Sequence, residues 1–171
     1  MKKLLAIAIS LSLVCSFSTV VLAENTTVLT TTVPDATYTL NIPADQEIPF
    51  GATRTEIGNV TVADAAGFAR EKNLQVTLTY EPFKADGAST VIPYKVNALH
   101  DDALPGDTVS EISTIMFFGQ ENGGVSTAFN DNTGWIKSLF VDIQSEDWGK
   151  ALAGEYSSTI TFTAEVVVSE P

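Results

Sequence analysis

Cysteine and histidine, on which much enzyme chemistry depends, are almost absent from this chain of 171 residues. Cys15 is the only cysteine and lies in an apolar N-terminal stretch, and His100 is the only histidine. No G-x-S-x-G elbow, H-E-x-x-H helix, Walker A loop or dinucleotide fingerprint occurs. A pair of carboxylates is the one route to hydrolysis left open. The sequence therefore predicts a protein that is not an enzyme and carries no cofactor.

Basic residues are also few, with 9 Lys and Arg against 21 Asp and Glu, and the net charge is −12. All 21 acidic residues follow Ala23, whereas two of the nine basic residues precede it, so the chain after Ala23 carries a charge of −14. A negative field of this size repels nucleic acid and anionic lipid. We expect neither as a partner.

A long apolar run occurs at one place, the N-terminus, where it follows two lysines. Val21 and Ala23 stand at the small-residue positions that a signal peptidase recognises, and several serines dilute the run. We therefore expect residues 1–23 to be a cleaved signal peptide and not a membrane anchor. The expected location is secreted, either extracellular or at the cell surface, with no membrane insertion after cleavage.

After cleavage, the chain has the size of one domain. We expect residues 24–33 to be an N-terminal strand or a tether, and residues 34–171 to be a β-sandwich domain. An exported domain without cysteine has no disulfides, which favours a bacterial origin over an animal extracellular one.

Apolar and polar residues alternate in most segments, which is the period of a strand with one buried face. Turn-forming Pro, Gly, Asn and Asp separate these segments at intervals of about 8 to 12 residues. The pattern predicts an all-β protein, a single antiparallel β-sandwich of Ig-like or jelly-roll-like type. Predicted inward positions are Tyr38, Leu40, Ile42, Val60, Val62, Leu74, Val76, Leu78, Tyr80, Ile92, Tyr94, Val96 and Ala98.

The segment WIKSLFVDI, residues 135–143, departs from simple alternation. Leu139 and Val141 fall on one side of an extended chain, and Ile136 and Phe140 fall on the other. The segment is therefore either a strand covered on both faces or a strand with a bulge.

A long alternating segment, YSSTITFTAEVVV, occupies residues 156–168. Its even positions carry Tyr156, Ile160, Phe162, Ala164, Val166 and Val168, while threonines and Glu165 fall between them. A strand with six inward apolar groups is usually central in a sheet. We expect this strand to complete the core from such a position.

A short helical turn is predicted just before this strand, near residues 146–152. Ser145 is a suitable N-cap, and Trp148 and Leu152 are spaced to stack one turn apart. Gly154 is expected to end the turn. Trp148 would then cover one end of the sandwich.

Candidate ligand-binding residues are confined to loops and aromatic side chains. Calcium is the metal considered, because the loops offer oxygen ligands at Asp101, Asp102, Asp107, Asn130 and Asp131, although none of them forms an EF-hand loop. Their residue types are equally typical of turns.

His100 precedes a turn and is expected at the surface. Trp135 and Trp148 border predicted loops, together with Phe83 and Phe129, and these aromatic residues are candidates for a sugar-binding face. The alternative for both tryptophans is that they pack as lids on the core.

Two stretches resemble a group of small exported β-sandwich proteins from Gram-positive, Clostridia-like bacteria. PDATYTLNIPADQEIPFG, followed by IGNVTV, is similar to their first strands. DWGKALAGEYSSTITFTAEVVV is similar to their closing pattern, a Trp-bearing turn and a G-x-Y-x-x-x-I-x-F-x-x-x-V strand. A weaker likeness runs to spore-coat-U-like and pilin-like sandwiches, whose usual cysteines are missing here. The resemblance implies the fold and export, and it does not supply a function.

These observations favour a structural protein of the cell envelope or cell surface that acts through protein–protein contacts. Its expected partners are other envelope proteins or copies of itself. The alternative is an extracellular module that binds carbohydrate or calcium.

Overall fold

The computed structural model describes most of the chain after the N-terminal region, and all of the described residues belong to one compact unit, Val33–Pro171. The predicted signal peptide and the predicted strand or tether at 24–33 lie outside the described residues. The described ranges are 35–87, 89–100, 109–130 and 134–168.

Within these ranges the chain forms twelve β-strands and one short helix, α1. Their bounds are β1 Thr37–Asn41, β2 Arg54–Gly58, β3 Thr61–Ala66, β4 Lys72–Tyr80, β5 Phe83–Lys84, β6 Val91–Ile92, β7 Lys95–His100, β8 Ser110–Glu111, β9 Thr114–Phe117, β10 Phe129–Asn130, β11 Gly134–Asp142, α1 Ser145–Trp148 and β12 Ile160–Val168.

Eight of these strands form one antiparallel sheet. Its order is β12-β4-β9-β10-β11-β7-β8, and β2 pairs with β11 beside this path. Two small sheets, β1 with β3 and β5 with β6, flank the large one. The chain is therefore mostly β with antiparallel sheets and one short helix in its described part, which confirms the predicted all-β, sandwich-like class.

The large sheet has two halves, one that contains β7 and one that contains β4, and they enclose one core. The segment between β8 and β9 makes backbone hydrogen bonds to strands of both halves. The Ile112 amide donates to the Val96 carbonyl of β7 at 3.0 Å. The Leu78 amide of β4 donates to the Ser113 carbonyl at 2.8 Å. Buried residues of both halves then form a single apolar cluster.

Most of the predicted inward positions are buried. The four apolar positions of the β6–β7 region and the first three of β4 lie in the core, because alternation along these strands matches the pleat. Ile42 is an exception, since β1 ends before it and its side chain is exposed. The largest fully buried side chains are Phe68, Phe117, Leu74, Ile92, Ile112, Ile115, Leu139 and Ile143.

The irregular segment around β11 carries a bulge, one of its two predicted forms. The pairing of β11 with β7 shifts register between Ile136 and Ser138. Ile136 and Leu139 are both buried although an odd number of positions separates them. The shift therefore moves the inward row from even to odd positions.

The expectation that the strand after residue 156 is central was wrong. Among the described strands, β12 pairs with β4 alone and stands at the edge of the sheet. Its inward row is half-buried at Ile160, Phe162 and Ala164 but exposed at Val166 and Val168. Alternation reports which face of a strand is apolar and contains no information on how many neighbours the strand has.

The predicted helical turn exists but is shorter, and its caps differ from the prediction. Gln144, not Ser145, is the N-cap, and no side chain caps the helix. The helix ends at Trp148 with Gly149 as its C-cap, well before Gly154, and Leu152 is exposed. Nucleation of an isolated helix is costly and glycine adds to that cost, so the turn does not extend to Leu152.

A charged cluster fixes β2 against the end of β11. Arg54 donates two hydrogen bonds to the Asp142 carboxylate, at 2.8 and 2.6 Å, and the Asn97 amide donates a third at 2.7 Å. Burial by itself raises the pKa of Asp142, but the hydrogen bonds from Arg54 and Asn97 outweigh it and leave the pKa below its ordinary value.

Replacement of Asp142 by Asn should lower the free energy of unfolding by about 1–3 kcal/mol at neutral pH, because charge-assisted hydrogen bonds are lost. The folded-state pKa is depressed, so this stability is present above the ordinary value of 3.8 and is lost as pH falls through the folded-state pKa. Urea unfolding at neutral pH and at about pH 3 tests both points, since the difference between the two proteins should shrink in acid.

The matched control is Glu111→Gln, which removes the acid of the pair with Lys95, both of whose side chains are more than half exposed. A pair of this kind contributes less than about 1 kcal/mol. Equal losses in the two variants would contradict the role given to Asp142.

Candidate functional site

A cleft of about 920 Å³ opens on the surface of the domain. Residues 45–50, which connect β1 to β2, form one wall, and residues 148–158, between α1 and β12, form the other. Phe83 and Ile92, from the small β5–β6 sheet, also line it. Three segments that are distant in sequence therefore meet at this cleft.

The mouth of the cleft is aromatic. Phe50 is 84% exposed, and its ring meets Trp148 edge-on, with the centroids 5.3 Å apart and the planes at 68°. The Trp148 indole donates to the Ala52 carbonyl at 2.8 Å and packs against the core. The indole is held in place, whereas the Phe50 ring is presented to solvent.

Tyr156 stiffens the second wall. Its hydroxyl accepts a hydrogen bond from the Leu152 amide at 3.2 Å and lies 2.9 Å from the Thr90 hydroxyl. The stretch that leads from α1 into β12 has no regular secondary structure for most of its length, so these side-chain bonds and the backbone bridge between Lys84 and Ser157 hold it in place.

A network of hydroxyl groups lies beneath the cleft. The Ser158 hydroxyl donates to the Glu81 carbonyl at 2.6 Å, which leaves it free to accept from the Tyr94 phenol at 2.8 Å. The Tyr94 ring is stacked on Tyr80, with centroids 4.8 Å apart. Burial raises the pKa of Tyr94, so its phenol stays protonated at neutral pH.

The residues that line the cleft carry negative charge. Asp45, Glu47 and Glu155 are among them, and no Lys or Arg is among the lining residues that the structure describes. An apolar floor with an acidic rim favours a neutral or cationic ligand and disfavours an anionic one.

A smaller cavity of about 270 Å³ adjoins the cleft. Ile160 and Phe162 of β12 line one side of it, and Ile57 of β2 and Val141 of β11 line another. Residues 42–48 cover it. The cavity therefore lies between the edge strand β12 and the opposite half of the sheet.

A second aromatic feature, the Trp135 row, consists of Trp135, Phe129 and Phe118. Neighbouring rings meet edge-to-face, with centroids 5.0 and 5.2 Å apart. Phe129 is directly opposite Trp135 in the pairing of β10 with β11, and Trp135 is 44% exposed. The neighbouring Ile136 faces the core, so the row lies on the outer side of the sheet.

The predicted tryptophan sites therefore lie in two different settings. Trp148 lies at the mouth of the cleft and is partly buried against the core, whereas Trp135 is exposed on the outer face of the sheet. Phe83 lines the cleft, and Phe129 joins Trp135. The four predicted aromatic residues do not form a single binding face.

The predicted calcium ligands are mostly outside the described residues, which holds for Asp101, Asp102, Asp107 and Asp131. Asn130 is described and pairs with Gly134 at the end of β10. Within the described part of the chain, no three His, Cys, Asp or Glu residues are grouped so that they could hold a metal ion.

The expectation that His100 is a surface residue was wrong. His100 ends β7 with its side chain buried, and neither ring nitrogen has a hydrogen-bond partner among the described residues. The reason is its position, because it continues the inward row of Val96 and Ala98.

Phe50 and Tyr156 line the cleft and were not predicted as site residues. Phe50 falls in the PFGA stretch, which the sequence marks as a turn, and Tyr156 was assigned to the inward row of the last strand. An aromatic residue inside a turn signal is the one indication that could have drawn attention to Phe50.

Within the described residues, no helix has the length and apolar character needed to cross a bilayer. Comparisons of the chain with protein families, with curated proteins and with solved structures find no match. Function is therefore inferred from the cleft, the Trp135 row and the sheet edges.

Phe50 and Trp148 should differ in their contribution to stability. Trp148→Ala should lower the free energy of unfolding by about 2–4 kcal/mol, because it removes a packed ring and its hydrogen bond. Phe50→Ala should cost less than about 1 kcal/mol, since the ring is exposed. Urea unfolding of both variants measures this, and equal losses would mean that Phe50 serves the fold.

Proposed function

We propose that this chain is an exported, non-enzymatic protein of the cell envelope or cell surface that acts through protein–protein contacts. The N-terminal pattern over residues 1–23 supports export. The acidic charge keeps such a protein away from nucleic acid and anionic lipid. The observation that carries the proposal is the exposure of Phe50 at the mouth of a cleft whose other aromatic residues, Trp148 and Tyr156, are held by hydrogen bonds.

The exposed apolar groups support contact with another protein. Phe50 and Leu152 both line the cleft and are both exposed, and neither is needed to close the core. Large apolar side chains that gather at a concave surface mark interaction sites more often than isolated ones do. The acidic rim suits a partner segment that combines apolar and basic residues.

Carbohydrate binding is a second candidate function, and the Trp135 row favours it. Exposed aromatic rings on the outer face of a sheet offer apolar surfaces that fit the C–H faces of sugars. Calcium binding is also kept as a proposal. Most of its candidate ligands lie outside the described residues, so it rests on their residue types alone.

Phe50→Ala should weaken the binding of the protein to cell envelopes by at least about tenfold, because exposed aromatic anchors carry a large share of interface energy. Co-sedimentation with envelopes prepared from a Gram-positive bacterium measures the binding. The matched control is Val91→Ala, since Val91 is also an exposed apolar residue and does not line the cleft. Equal binding by the wild type and Phe50→Ala would contradict contact through the cleft.

Sugar binding at the Trp135 row should change tryptophan fluorescence in a glycan panel. The response should vanish in Trp135→Ala and persist in Trp148→Phe, because the two indoles belong to different surfaces. A response that depends on Trp148 would place the sugar in the cleft, against this prediction. A protein that responds to no glycan would remove the carbohydrate candidate.

A further inference from the structure

The edge strand β12 presents a long, regular edge. It pairs with β4 over all nine of its residues, from Ile160 opposite Tyr80 to Val168 opposite Lys72, without a register shift. Among the described strands no other pairs with it. The backbone groups on its second side therefore form a row to which another strand can bond.

The other edges of the large sheet are protected. β8 is only two residues long. β2 has a register shift in its pairing with β11 and carries the charged residues Arg54 and Glu56. Short length, irregular register and charge are the usual devices against unwanted edge pairing. β12 is long and regular, contains no Pro or Lys, and carries one charge, Glu165.

The inward row of β12 is covered over half of its length. Ile160, Phe162 and Ala164 pack against the core, whereas Val166 is 39% and Val168 is 68% exposed. The edge therefore has one half whose side chains pack against the core and one half whose valine side chains are exposed to solvent.

We propose that β12 pairs with β12 of a second copy of this chain, antiparallel about a two-fold axis through Ala164. In this register Phe162 lies opposite Val166 of the other copy, and Ile160 lies opposite its Val168. The exposed half of each strand then lies against the supported half of the other, and the two large sheets become one. This inference rests on the proposed function and names the partner as a second copy.

The charge of Glu165 selects this register from its neighbours. Here Glu165 lies opposite Thr163, which is an acceptable cross-strand pair. The next register in one direction places Glu165 opposite Glu165, and like charges directly opposite are destabilising. The next in the other direction places Val168 opposite Ser158, beyond the start of β12. Odd registers place the two apolar rows on opposite faces.

The cavity beside β12 supports the same arrangement. Ile160 lines that cavity together with Ile42, whose side chain is exposed. The Val168 side chain of the second copy, opposite Ile160, would extend the apolar wall at this point. Because both copies are strongly acidic, their association should strengthen as salt screens the repulsion.

Analytical ultracentrifugation of the protein recovered after export measures the association of its copies. The wild type should form dimers, and the double variant Val166→Lys/Val168→Lys should associate at least tenfold more weakly. Both valines are exposed at an edge, so the variant should fold, which urea unfolding checks. The control Val91→Lys adds one lysine at another exposed valine, away from β12, and should still dimerise. If the double variant dimerises as strongly as the wild type, the proposal is overturned.

Disulfide formation tests the register. In a Cys15→Ser background, Thr161→Cys and Val167→Cys, which lie opposite each other in the proposed register, each introduce a single thiol on the outward row of β12 and leave Glu165 in place. Residues directly opposite in an antiparallel pair have Cα atoms about 4.5–5.5 Å apart, within the reach of a disulfide. An equal mixture of the two variants should crosslink faster than either variant alone. Fastest crosslinking in either single variant would overturn the register.

Two further outcomes separate this inference from the proposed function. Association that persists in the double variant Val166→Lys/Val168→Lys but is lost in a chain beginning at Pro34 would assign the contact to residues 24–33. It would overturn the β12 pairing. A monomer at all concentrations and salt levels would also overturn it. Neither outcome bears on the proposed binding to envelopes through Phe50, which the Phe50→Ala co-sedimentation experiment tests separately.

Discussion

The register of β11 is the constraint on which the rest of the structure depends. This strand pairs with β10 at its start, with β2 at its end and with β7 along most of its length, so both halves of the large sheet are bonded to it. The bulge after Ile136 exchanges the inward and outward rows. It leaves Trp135 on the outer face at one end of β11 and places Asp142 beside Arg54 and Asn97 at the other end.

The strands and their buried rows could be predicted from the sequence because the pleat imposes a period of two. Leu74, Val76 and Leu78 illustrate this, and so does His100, whose parity with Val96 indicates burial more reliably than its polarity indicates exposure. The edge position of β12 could not be predicted, because it depends on which strands are neighbours. Pairing between distant segments leaves no signature in the local pattern.

The candidate site was less accessible to prediction than the fold. Trp148 was predicted to pack over the core, and it does so, but its cleft is formed by a connection that precedes β2 and another that precedes β12. Neither connection has a period, so the sequence does not indicate that they meet. Phe50 lies in a turn, and Tyr156 acts through its hydroxyl and not as part of a strand.

The pairing of β4 with β12 also affects when the molecule can fold. Tyr80 and its partner Ile160 are 80 residues apart in the chain, and Lys72 and Val168 are 96 apart. During synthesis β4 therefore emerges long before the strand that completes one side of it. Contacts at such separation form late and slowly. The sheet therefore stays unfinished, with one side of β4 open, until nearly the whole of the described chain has been synthesised.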